Sequence, residues 1–141
     1  MKTRFLILPA LLMVLGTTSC NDDDDAKYEL PAATLTGKWN YNKVGTVVAG
    51  AEVMTDYTGN EPGCNMDYIE LGNNNSYASV DYDSTDAPCQ AITTTGTFAV
   101  TGNTVVVDAG DDSFTGTILN LSYTELKVRD NESGTIFLFT R

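Results

Sequence analysis

The chain has 141 residues, with 19 acidic and 8 basic side chains, no histidine and a formal net charge of −11. The missing imidazole excludes His-based triads, His general bases and His-ligated zinc. The acidity argues against nucleic acid and anionic lipid head groups as partners.

Residues 1–19 read as a secretory signal. Lys2 to Arg4 is basic, Phe5 to Leu15 is apolar and Gly16 to Ser19 is small. The apolar core is too short to span a bilayer as a mature helix. Cys20 follows at the cleavage point, where a thiol can carry a diacylglycerol by thioether. Thr17-Thr18-Ser19-Cys20 resembles the lipobox of bacterial lipoproteins, without the usual leucine three residues before the cysteine. Asn21 and the run Asp22 to Asp25 resemble the signal that sends Bacteroidota lipoproteins to the outer face of the outer membrane. The resemblance implies lipidation of Cys20 and a membrane anchor through that lipid. Surface exposure is expected, with a periplasm-facing anchor as the alternative.

Removal of residues 1–19 leaves 122 residues, enough for one core, with a net charge of −13. Residues 20–34 are expected to form a lipidated acidic tether and residues 35–141 the single domain. Cys64 and Cys89 remain as a pair in an oxidising compartment, so a disulfide is expected.

From Leu35 onward, short β segments alternate with turn residues, and no window holds a helical apolar stripe. Gly37–Val44 is the first predicted strand. Val47–Tyr57 is an extended segment able to pair with it. Asp67–Leu71 and Tyr77–Tyr82 flank the turn Gly72 to Asn75, where Gly and Asn tolerate positive φ. Ile92–Val100 and Thr104–Asp108 flank the hairpin signal Thr101-Gly102-Asn103. Phe114–Leu121, Glu125–Asp130 and Thr135–Thr140 follow. In Glu125 to Arg129, Leu126 and Val128 face one way and the charges the other, the pattern of a strand with one face in a core. Ile136 to Phe139 is apolar on both faces, which predicts cover on its outer side. Regular spacing and tight turns predict an all-β, eight-stranded antiparallel up-and-down barrel, since closure removes sheet edges.

Residues 34–141 resemble the lipocalin-like domain of small Bacteroidota lipoproteins. The carriers are Leu35-x-Gly37-x-Trp39, Cys64 with Asp67-x-Ile69-x-Leu71, Asn75-x-Tyr77, Cys89 and Gly96-Thr97-Phe98-x-Val100 with Gly102-Asn103. Ile118-x-x-Leu121-x-x-x-x-Leu126 and Phe137-x-Phe139-Thr140-Arg141 complete them. Phe98 stands where this family usually has Trp. The Gly-x-Trp start also resembles true lipocalins, which implies Gly37 and Trp39 at the closed end with Arg141 across the indole. A guanidinium over an indole gains about 1–2 kcal/mol when partly desolvated.

The chemistry candidates are few. Asp81 to Asp86 and Asp108 to Asp112 could offer calcium oxygens, but neither run has the spacing of a known calcium loop, and solvated turns with no metal are expected. Glu70 is the one strand acid considered for glycosidase work, and its setting suits an outward position. No serine has activation machinery. Asp83-Ser84-Thr85 resembles a short O-glycosylation motif of this phylum, which makes Ser84 a candidate. Tyr68, Tyr77, Phe98, Phe114, Phe137 and Phe139 are candidates to line a barrel interior, either around a ligand or as filler.

The reading is a monomeric, non-catalytic barrel without a cofactor that binds a small apolar molecule at the outer membrane. The alternatives are an acidic protein-binding module, acting as an inhibitor of a basic enzyme or an adhesin, and a filled structural barrel. From Ala26 onward the net charge is −9, which weakens charge-steered inhibition.

Overall fold

The computed structural model describes residues 32–85 and 89–141. The signal segment, Cys20, the tether as far as Pro31 and Asp86 lie outside the described residues. One helical turn, α1 (Ala32–Leu35), precedes nine strands: β1 (Gly37–Val48), β2 (Ala51–Asp56), β3 (Tyr68–Leu71), β4 (Ser76–Asp83), β5 (Gln90–Thr101), β6 (Thr104–Asp108), β7 (Phe114–Leu121), β8 (Glu125–Asp130) and β9 (Ile136–Thr140).

Hydrogen bonding runs from β1 to β3 and then in chain order to β9, always antiparallel. β9 returns to β1, from Asn40↔Thr140 to Gly45↔Ile136. The sheet therefore closes into the expected eight-stranded up-and-down barrel. β2 is a ninth strand outside the ring. The predicted Val47–Tyr57 segment divides: Val47 and Val48 complete β1, and Ala49 and Gly50 turn the chain into β2. Both turn residues have positive φ, 51° and 82°, the twist a two-residue hairpin needs.

β1 serves three neighbours. Its Asn40–Gly45 stretch pairs with β9 along one edge. On the other edge Gly37–Asn40 pairs with β3 and Lys43–Val48 with β2. An irregularity between Tyr41 and Lys43 resets the register where the partners change. β2 crowds Gly45 closely: a Cβ there would stand 2.2 Å from the Val53 carbonyl oxygen and 2.5 Å from Met54 Sδ. Only glycine admits that approach.

The β1–β2 hairpin reaches β8, where Lys127 Nζ pairs with Glu52 Oε2 at 2.8 Å. The outer face of β9 is thus covered, as its two-sided apolar pattern predicts. Ile136, on that face, is fully buried. The inner faces build one core that includes Trp39, Leu71, Phe98, Leu126 and Phe139.

Truncating Ile136 to Ala is expected to cost about 2–5 kcal/mol, the range for a buried large aliphatic side chain. Ile92→Ala, at a half-exposed position, should stay within about 0.5 kcal/mol. Urea melts of the two variants check the contrast, and equal losses would contradict the cover over β9.

Candidate functional site

One end of the barrel is built shut. Trp39 is fully buried and its Nε1 donates to the Leu35 carbonyl at 2.8 Å, holding α1 under the floor. Arg141 Cζ stands 3.9 Å from the Trp39 ring centroid. The guanidinium donates to three carbonyls: Nε to Tyr123 at 2.7 Å, Nη1 to Thr36 at 2.8 Å and Nη2 to Thr34 at 2.6 Å. Gly37 has φ +122°, and a Cβ there would lie 2.9 Å from Arg141 Nη1. Glycine at this position satisfies both the backbone angle and the guanidinium.

Above the floor lies a cavity of about 430 Å³, within the range of roughly 300–1,000 Å³ that small-molecule sites occupy. Its lower wall is aliphatic and aromatic: Ile69, Leu71, Val105, Ile118, Leu126 and Phe139 among others. Its upper wall is polar, with Tyr41, Tyr57, Tyr77, Ser79, Asp81, Asp112 and Asp130. Alternation explains the division. Tyr77, Ser79 and Asp81 are successive inward positions of β4, which runs from floor to mouth.

Of the predicted lining residues, Tyr77, Phe114, Phe137 and Phe139 do line the cavity. Tyr68 lies on the outer face with Lys38 Nζ 3.6 Å from its ring centroid, because Ile69 and Leu71 take the inner positions of β3. Phe98 is buried in the core and does not line the cavity; it sits toward the floor, beside the Asn75 carbonyl that accepts from its amide. Glu70 is exposed on the outer face. The Ser84 hydroxyl donates to Glu61 at 2.6 Å. Asp83 accepts from the amide and hydroxyl of Thr85 as a local turn, and Asp112 Oδ2 accepts from Thr94 Oγ1 at 2.9 Å.

Three parts of the mouth lie outside the predicted set. Tyr41 and Tyr57 stack with ring centroids 4.6 Å apart, and Tyr41 also tilts against Phe139 at 4.7 Å. Asp67, buried at 2 % exposure, ties three segments together. Its amide donates to Asn60 Oδ1 at 2.8 Å, its carbonyl accepts from the Tyr41 amide at 3.0 Å, and its Oδ1 accepts from the Tyr82 amide at 2.8 Å. The Tyr57 hydroxyl makes a long contact of 3.5 Å with Oδ2. Asp81 is the third. Period two gave a signal for both carboxylates: Asp67 shares a phase with Ile69 and Leu71, and Asp81 with Tyr77 and Ser79.

The loop between β2 and β3 is pinned over this mouth. The Cys64–Cys89 disulfide, with Cα atoms 5.6 Å apart, joins it to the β4–β5 connection, beside the Ser84–Glu61 hydrogen bond.

The mouth is electrostatically one-sided. Burial raises the Asp81 carboxyl above its ordinary range, and the nearby Asp67 and Asp112 carboxylates add to the shift. Burial, then Asp67 and Asp81, pushes the Tyr57 hydroxyl up to about 12. Tyr41 is raised as well, by burial first and then by Tyr77 and Tyr57. The Ser79 hydroxyl acts the other way, lowering Tyr41 and Tyr77 against the larger effect of burial.

The model of the lipocalin-like domain family matches residues 35–128. Among solved structures, a lipocalin-like protein from Bacteroides uniformis superposes with a TM-score of 0.54 at 15% identity, covering 77% of this chain and 98% of that one. A protein from Bacteroides eggerthii superposes with a TM-score of 0.53 at 10% identity, covering 75% and 98%. No curated protein matches the chain.

Tyr57 ionises at a higher pH in the folded protein than the ordinary value of 10.0. Its contribution to stability is therefore complete below pH 10 and is lost as pH rises toward 12. An alkaline titration should show tyrosinate absorbance from Tyr41 and Tyr57 lagging and arriving together with unfolding. Full ionisation of every tyrosine near pH 10 in a still-folded protein would contradict this geometry.

Proposed function

Because this chain belongs to the lipocalin-like domain family, we propose that it is a non-catalytic carrier or receptor of a small, largely apolar molecule, anchored through Cys20 at the outer membrane and exposed on the cell surface. The cavity of about 430 Å³ above a sealed floor carries this reading. A barrel filled by its own side chains would leave no such space. Burying an apolar body against Ile69, Leu71, Ile118 and Leu126 would stabilise the complex by about 25 cal/mol for each Å² removed from water, before the costs of association.

The location rests on sequence: the apolar Phe5 to Leu15 run, the lone Cys20 and the aspartates behind it. Disulfide bonding of Cys64 with Cys89 agrees with an oxidising compartment.

Two measurements test these statements separately. A neutral, environment-sensitive dye such as N-phenyl-1-naphthylamine should brighten on binding the full-length protein. Ser79→Trp, which places a ring inside the cavity between Tyr77 and Asp81, should weaken binding about tenfold or more. Dye binding that is absent, or unchanged in that variant, counts against the cavity as the site. For location, protease added to intact cells should remove the domain. Resistance until the outer membrane is breached would place the anchor on the periplasmic side.

A further inference from the structure

We propose that the molecule this cavity takes is an amphiphile with a cationic head, an ammonium or a similar protonated nitrogen, seated at the mouth against Asp81 and Asp112 over the stacked rings of Tyr41 and Tyr57. The proposal rests on the ligand-binding reading above and names the head group that reading leaves open.

The positive charges of the domain lie away from the cavity. The described residues contain five basic side chains, and none lines the cavity. Lys38 lies over Tyr68 on the outer face. Lys43 pairs with Asp56 at 3.3 Å and Lys127 with Glu52 at 2.8 Å, both outside the ring. Arg129 alternates outward on β8 between the inward Val128 and Asp130. Arg141 is committed to Trp39 and three carbonyls at the floor.

The negative charges are distributed the opposite way. Asp81, Asp112 and Asp130 all line the cavity, and the buried Asp67 sits behind Tyr57. Two of these are occupied within the protein. Asp130 accepts from the Glu132 amide at 2.8 Å in its own turn, and Asp67 accepts from the Tyr82 amide. Asp112 accepts from Thr94 through Oδ2, and like Asp81 it is open to solvent at the mouth. The two ion pairs among the described residues both lie on the outer face, so neither reaches these carboxylates.

A cation would supply the missing countercharge. Its insertion would offset the like charges around Asp81, whose carboxyl is raised first by burial and then by Asp67 and Asp112. Tyr41 and Tyr57 line the same cavity, and an aromatic ring attracts a cation over its face by about 0.5–2 kcal/mol according to how far the cation is desolvated. A carboxylate or phosphate head meets the reverse situation. It would enter a site with no donor cation and two or three like charges, a costly arrangement when partly desolvated. A fatty-acid type of ligand is therefore disfavoured, although the apolar wall would accept its chain.

The test uses one chain length and three heads. Decylammonium, decanol and decanoate compete with N-phenyl-1-naphthylamine for the full-length protein at neutral pH. Decylammonium should compete about tenfold better than decanol, and decanoate about tenfold worse. The ranking should shrink to about twofold in the double variant Asp81→Asn with Asp112→Asn, whose folding is checked by its melting curve. It should also shrink in the unaltered protein at about 1 M sodium chloride, where charges are screened within roughly 3 Å. Equal competition by all three heads, or preference for decanoate, overturns the cationic head while leaving the apolar cavity standing. Failure of the dye and of every competitor to bind overturns the ligand-binding reading itself, and this proposal with it.

Discussion

The architecture depends on one strand having to satisfy three neighbours. β1 carries β9 on one edge and divides the other between β3 and β2. A strand has only two edges, so this sharing works by length: on the edge opposite β9, the residues nearest the floor pair with β3 and those beyond them hold the extra strand. The irregularity between Tyr41 and Lys43 sits where the exchange occurs. From that point β3 and β2 part, and the chain between them must arch over the gap. Asn60, Asp67 and Tyr57 fasten that arch to β1 and β4. The mouth of the cavity is thus a by-product of how β1 allots its hydrogen bonds.

The interior then sorts by distance from the floor. At the closed end, apolar side chains pack around Trp39, and the exposed Arg141 guanidinium lies over the ring and donates to three carbonyls. Burial of Trp39 there is inexpensive because its indole N–H donates to the Leu35 carbonyl. Toward the mouth, hydroxyls and carboxylates replace aliphatic groups on the same faces, and water access makes them tolerable. The gradient gives a ligand one orientation, apolar end downward.

Much of the lipocalin-like barrel is legible in the sequence because its signals are local. Gly102-Asn103 and the Gly72–Asn75 turn mark hairpins by their backbone freedom, and Leu126 and Val128 show their face by alternation. The exclusion of β2 from the ring is not local: it turns on the missing side chain of Gly45 and on where β3 leaves β1. The lining is legible only in part. Alternation reports which face a residue occupies and not its height in the barrel, so Phe98 reads like Phe139 although it packs toward the floor. Tyr68 was readable, since Ile69 and Leu71 fix the inner phase against it. Tyr41 sits at the register change, and Tyr57 lies just past the end of a strand, where period two carries no information. Asp67 and Asp81 are in phase with the inner face, but an isolated acid there invites the opposite assignment until its hydrogen-bond partners are seen.

The guanidinium at the floor also fixes a direction. By holding the carbonyls of Thr34 and Thr36, Arg141 makes the chain enter the domain at the sealed end. Thr34 and Thr36 therefore lie at the opposite pole from Asp81 and Asp112. With the lead-in of the domain held at the floor, the rim stays clear of it, so a molecule entering or leaving the cavity does not have to pass the point where the chain comes in.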